Sequence, residues 1–252
     1  MTINNFNQAN HLPIILAHDS FIQNGGAERV VRTWHGWFPK APLLTVVLDK
    51  TQKPIYRGWD IRPSWLQKLY NLWPRFKHFL FVLPLAQRSL KVEPGSILLS
   101  SSSLFLKALP KPDNGRHIVY CHTPPRFIWS EPEYVIQEVP IFLRPVVNFG
   151  LKLLKKWDYQ SAQKVDIFLA NSREVQARIR KFYERDSEIV YPGIDCQFWH
   201  KTKPTGTYFL VAGRLQPHKN NELVVKVCSE LGIPLHVVGT GSQEAYLRSI
   251  AG

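Results

Sequence analysis

Short, uninterrupted apolar runs rich in β-branched and aromatic residues recur along the chain, and stretches of helical character separate them. The runs are Ile14–Ala17, Leu43–Leu48, Ile97–Ser100, Ile118–Cys121, Ile167–Ala170 and Ile189–Tyr191. They do not alternate polar with apolar residues, so they predict strands buried on both faces, which is the habit of parallel sheets. Parallel neighbours need crossover connections, and the intervening sequence supplies them. Ala27–Trp37 and Glu174–Tyr183 read as helices, and a longer helix is expected within Ile141–Gln163. The pattern is that of a doubly wound α/β domain.

After Tyr191, a Pro-Gly-Ile-Asp turn leads into the polar, proline-bearing stretch His200–Gly206, which has linker composition. A second unit follows as strand Tyr208–Ala212, helix Asn221–Leu231, strand Leu235–Val238 and helix Gln243–Ile250. The reading therefore assigns residues 1–199 to a first Rossmann-like domain with a polar tail over 1–12, residues 200–206 to a linker, and residues 207–252 to the start of a second Rossmann-like domain. Two strands do not complete such a sheet, so the second domain is expected to be truncated.

Several classes are set aside by composition. With 44% hydrophobic residues, the 252-residue chain has core material for a folded protein. Cys121, Cys196 and Cys228 form no C-x-x-C pair and are odd in number, which argues against a zinc site or disulfide framework and fits a reducing cytoplasm. The N-terminal MTINNFNQANHLP lacks the apolar run of a secretory signal. The most apolar window, Phe79–Ala86, is interrupted by Pro84 and falls short of the ~20 residues that span a bilayer. A net charge of +13 favours anionic partners, namely phosphates, nucleotides, nucleic acid or an anionic membrane.

Three constellations carry candidate chemistry. The first strand is read as running into a loop, His18 through Gly26, whose paired Gly25 and Gly26 precede a helix. Backbone at glycine approaches a ligand closely, and a helix start offers free N–H groups to phosphate. An ordinary strand-to-helix turn would also use glycine there. Next, Gly213 through Lys219 opens the second unit; Arg214 supplies a bidentate fork and Lys219 a point charge, a pair suited to a diphosphate, although a solvated basic loop has the same composition. Finally, His122 stands directly after an apolar strand, where open α/β sheets gather ligand groups, although a structural histidine is also common there. No Asp-x-Asp pair of the kind that holds a metal in many transferases occurs in the chain.

Four motifs in order, Gly25-Gly26-Ala27-Glu28, Tyr120-Cys121-His122-Thr123-Pro124, Tyr191-Pro192-Gly193-Ile194-Asp195 and Gly213-Arg214-Leu215 through Lys219, resemble family 4 of the retaining glycosyltransferases with the GT-B fold. Within it they look like the bacterial polysaccharide and O-antigen mannosyltransferase branch. The resemblance implies a metal-independent hexosyltransferase that needs no cofactor and takes a nucleotide-diphosphate sugar, GDP-mannose in this branch, to a lipid-linked or polysaccharide acceptor with retained configuration. It implies catalytic contact of His122 with the donor sugar in a cleft between the domains. Gly25, Gly26, Arg214, Lys219, Gly239 and Gly241 would bind the donor, and Glu28, Thr123 and Arg126 would lie on the acceptor side. The family's Glu-x7-Glu segment does not occur at its place in this sequence; Glu222 and Glu230 have the spacing but come too early in the fold.

Trp65, Trp73, Phe76, Phe79 and Phe81 interleave with Lys68, Arg75, Lys77, Arg88 and Lys91, a mixture suited to peripheral contact with an anionic membrane on its cytoplasmic face. Leu151–Trp157 repeats the mixture; a core-facing stripe with a solvated basic edge is the alternative for both stretches and the favoured reading of the second. Rival readings are a nucleic-acid-binding protein, disfavoured by its lack of a recognised motif, another GT-B enzyme such as an epimerase or phosphorylase, and a sugar-nucleotide-binding remnant without activity.

Overall fold

A computed structural model describes residues 12–198 and 206–252, so nearly all of the expected tail and of the expected linker lies outside the described residues. The chain divides into two compact units, Met1–Gly193 and Ile194–Gly252.

Unit 1 runs β1 (Ile14–Phe21), α1 (Gly26–Trp37), β2 (Leu43–Leu48), β3 (Ile61–Pro63), α2 (Leu66–Leu72), α3 (Leu83–Gln87), β4 (Ile97–Ser102), β5 (Arg116–Cys121), α4 (Arg126–Trp129), α5 (Glu133–Gln137), α6 (Arg144–Ala162), β6 (Ile167–Ala170), α7 (Arg173–Tyr183) and β7 (Glu188–Ile189). The seven strands pair in parallel in the order β3-β2-β1-β4-β5-β6-β7. Strand order therefore reverses between β1 and β4, and this reversal defines the crevice where open α/β sheets take ligands. Both faces of the sheet are covered, as the continuous apolar strands require. Leu16 and Leu43 pack with Val31 and Trp34 of α1, while Ala17, Leu44 and Leu98 pack with Leu66, Leu83 and Leu154 from α2, α3 and α6.

Local signals explain the element ends. Helix α7 starts at Ser172, whose hydroxyl accepts the Val175 N–H at 3.2 Å, and stops at Glu184 in the left-handed conformation, φ 54°. Pro145 enters α6 in its first turn, where the missing N–H costs nothing.

Three expectations are corrected. His18–Phe21 is strand, not loop, because Ser20 and Phe21 continue the β1 ladder onto Val47 and Leu48. The strand expected over Ile97–Ser100 extends to Ser102, and that expected over Ile189–Tyr191 is the two-residue Glu188–Ile189. Strand β3 was not anticipated; with three residues including Arg62 and Pro63 it has no readable periodicity, and proline is tolerated at a sheet edge.

A charged cluster lies inside unit 1. The Lys107 ammonium, 2% exposed, meets Asp158 Oδ1 at 2.5 Å and donates to the Leu104 carbonyl at 2.6 Å. Asp158 Oδ2 accepts from Trp129 Nε1 and the Tyr183 hydroxyl, both at 2.8 Å. Burial pushes the Tyr183 hydroxyl well above its ordinary range and the Cys121 thiol up to about 12, so neither ionises here.

Unit 2 carries β8 (Phe209–Ala212), α8 (Asn221–Glu230), β9 (Leu235–Val238) and α9 (Glu244–Ser249), with β8 and β9 paired in parallel. Its core is small, Leu215, Val225 and Leu247 with Leu235 and Ile250 packed around them. Phe209, Leu210 and Val238 on its strands are exposed.

Candidate active site

The carboxyl ends of β1, β4 and β5 bring together a polar cluster at the strand-order reversal. His18 of β1 is the register partner of Ser101 of β4, and His122 follows β5 with its N–H on the Ser102 carbonyl at 2.9 Å. Ser101 Oγ lies 3.1 Å from His18 Nδ1 and 2.8 Å from His122 Nε2. His18 Nε2 faces Glu28 Oε1 at 3.8 Å, an ion-pair distance longer than a hydrogen bond. Burial alone would raise the Glu28 carboxyl, but the neighbouring His18 ring and the Gly25 N–H outweigh it and hold the group below its ordinary range as a carboxylate. Burial, reinforced by His18, pushes the His122 imidazole down to about 4, so it is neutral at physiological pH.

Asp19, the next residue of β1, serves the adjacent loop. Its carboxylate accepts the backbone N–H groups of Ser103 (2.5 Å), Leu104 (2.8 Å), Phe105 (3.2 Å) and Leu106 (2.9 Å), fixing the chain that leaves β4. Four donors converging on one carboxylate form a charge-assisted anchor rather than a free catalytic group.

Gly25 and Gly26 lie at the start of α1, and neither has a positive φ. A Cβ at Gly25 would come within 3.0 Å of Glu28 Oε2, whereas one at Gly26 would meet nothing within 4 Å. Turn geometry therefore does not require glycine at position 26, and the space beside Gly26 is open. Glu28, expected on the acceptor side, is instead buried and turned inward, with Oε2 accepting the Gly25 N–H at 2.9 Å. Thr123 Oγ1 accepts from Arg178 Nη1 at 3.2 Å, and the exposed Arg126 pairs with Glu131 at 3.4 Å.

In unit 2 the loops after β8 and β9 continue the ladder. Gly213 N–H donates to the Val238 carbonyl and Leu215 N–H to that of Thr240, both at 2.9 Å. A Cβ at Gly239 would fall 1.8 Å from the Gly213 oxygen, and one at Gly241 2.1 Å from the Leu215 oxygen. Backbone contact between the loops thus demands both glycines locally. Arg214 and Lys219 are exposed on the loop from β8 to α8.

His18, Asp19 and Ser101 were not singled out in the sequence. The signal available for Ser101 was the run Ser100–Ser103, four hydroxyls ending an otherwise apolar strand.

An all-parallel doubly wound sheet with polar side chains gathered at its reversal point defines a ligand-binding domain of Rossmann-like type. The chain belongs to glycosyltransferase family 4, whose family model matches residues 24–198, more than half of the sequence. No curated protein matches it. Family membership makes glycosyl transfer the chemistry and a nucleotide sugar and an acceptor the general partners. No described helix is long and apolar enough to cross a membrane.

Proposed function

We propose that the chain transfers a hexose, mannose, from GDP-mannose to a lipid-linked or polysaccharide acceptor, with retained configuration and without a metal or cofactor. The observation that carries this reading is the open space at Gly26, at the start of the helix that bears Glu28, together with the His18–Ser101–His122 cluster. In unit 1, Gly25 and Gly26 admit the donor and its phosphate, His122 contacts the donor sugar, and Thr123 and Arg126 lie toward the acceptor. In unit 2, Arg214 and Lys219 hold the diphosphate, and Gly239 and Gly241 shape the nucleotide loop. Cations fixed before the leaving phosphate develops its charge stabilise it without reorganisation, so no side-chain nucleophile is required. Calorimetric titration with GDP, UDP and their sugars tests the reading. GDP is expected to bind more tightly than UDP, and Arg214→Ala to weaken GDP by about 1–3 kcal/mol. Equal affinity in the variant would remove Arg214 from the site.

We further propose cytoplasmic placement against the inner face of the membrane. Trp65, Leu72, Trp73, Phe81 and Leu85 are exposed, and so are Ile141, Phe142, Val146 and Phe149 leading into and along α6. The two stretches meet where the Phe81 ring lies against Gly150. Residues 65–91 and 141–157 contain Lys and Arg but no Asp or Glu, so these stretches are basic, with Lys77 paired to Glu138 at 2.7 Å. Phe76, Phe79, Leu151 and Leu154 instead pack into the core. Cosedimentation with phosphatidylglycerol vesicles at low salt, and release by salt, are expected. Protein remaining in the supernatant at low salt would end this proposal.

A further inference from the structure

Glu28, His18 and Ser101 form a polar line across three elements that ends on His122, and the chemistry of each member gives the line a direction. A carboxylate can only accept. Glu28 Oε2 already receives the Gly25 N–H, and Oε1 faces His18 Nε2 at 3.8 Å. That negative charge favours the His18 tautomer with its proton on Nε2, leaving Nδ1 as an acceptor. Ser101 has one proton and two imidazole neighbours, His18 Nδ1 at 3.1 Å and His122 Nε2 at 2.8 Å. With His18 Nδ1 accepting that proton, the serine oxygen is left to accept from His122 Nε2–H. Ser101 is fully buried, His18 is 3% exposed and Glu28 is 2% exposed, so bulk water does not compete for these positions.

We infer that Glu28, His18 and Ser101 are positioning residues that hold His122 as its Nε2–H tautomer, so that Nδ1 is presented to the donor as a hydrogen-bond acceptor. The group it recognises is then a hydroxyl of a neutral sugar, and a donor carrying a carboxylate at that position is rejected because two acceptors face each other. This inference rests on the donor-sugar reading of His122, whereas the tautomer itself does not.

The test is long-range proton–nitrogen correlation NMR of the ¹⁵N-labelled full chain, with the His122 ring signals assigned by their loss in His122→Gln. In the unmodified chain the protonated ring nitrogen should be Nε2 and the unprotonated one Nδ1. Ser101→Ala should shift the ring toward the other tautomer, Ser101→Thr should restore it because the hydroxyl is kept, and Glu28→Gln should shift it in the same direction as Ser101→Ala. With a transfer assay, Ser101→Ala should lower kcat/KM about tenfold, the worth of one hydrogen bond, with rescue by Ser101→Thr. A protonated Nδ1 in the unmodified chain, or an unchanged tautomer in Ser101→Ala, would overturn the assignment. Addition of GDP-mannose separates the two layers. Movement of the Nδ1 resonance supports the hydroxyl contact, whereas an Nε2–H ring whose Nδ1 ignores saturating GDP-mannose overturns the sugar contact and spares the tautomer.

Discussion

Replacing Lys107 with methionine should lower the unfolding free energy of unit 1 by about 3–5 kcal/mol, because the substitution leaves Asp158 charged, buried and short of its counter-ion. Asp158 is fully buried and keeps only the Trp129 and Tyr183 donors once the ammonium has gone. Methionine preserves the length of the side chain and its packing beside Phe105 and Tyr183, so charge rather than volume is what changes. Adding Asp158→Asn should return a good part of the loss by removing the stranded charge. Denaturant titration followed by circular dichroism measures both, and a Lys107→Met midpoint equal to that of the parent would show that the pair contributes nothing net.

Acidification should cost a comparable amount. His117 is driven down to about 4 by burial, against a smaller opposing pull from Asp166, and His122 also titrates near 4. In the unfolded chain both return to the ordinary value of 6.5. Between these values the unfolded state binds more protons than the folded one, so stability is complete above about pH 6.5 and falls as the pH drops toward 4. A depression of this size corresponds to about 3 kcal/mol for each imidazole. Glu28, Asp49 and Asp166, whose carboxyls are held below their ordinary range, add to the loss at still lower pH. Unfolding midpoints at pH 7, 5.5 and 4 should fall in that order, with a shallower fall in His117→Gln. A midpoint that holds steady or rises on acidification would contradict the burial of these rings.

The strands were legible where apolar residues ran without interruption, and illegible where the site begins. Leu43–Leu48 and Ile167–Ala170 were placed at their ends because both faces of those strands are covered. His18–Ser20 looked like loop because polar side chains at the end of β1 imitate the composition of a turn, although they are paired strand residues serving the crevice. The acceptor-side place of Glu28 came only from the family resemblance; nothing in its spacing revealed the imidazole that it faces from a strand ten residues earlier. The aromatic-basic stretch was only partly readable, since Phe76 and Phe79 pack inward while Trp73 and Phe81 are exposed, and Phe76–Phe79 is a single 3-10 turn too short to show a periodicity.

Because consecutive residues of β1 point to opposite sides, His18 reaches the imidazole line while Asp19 gathers the amides leaving β4. A one-residue deletion ahead of His18 would shift this register, setting the Asp19 carboxylate against Ser101 and leaving Ser20 to face the four amide donors. Length variation in this part of the protein should accordingly be found in the exposed Gln23–Asn24 connection and be absent from the eight residues of β1.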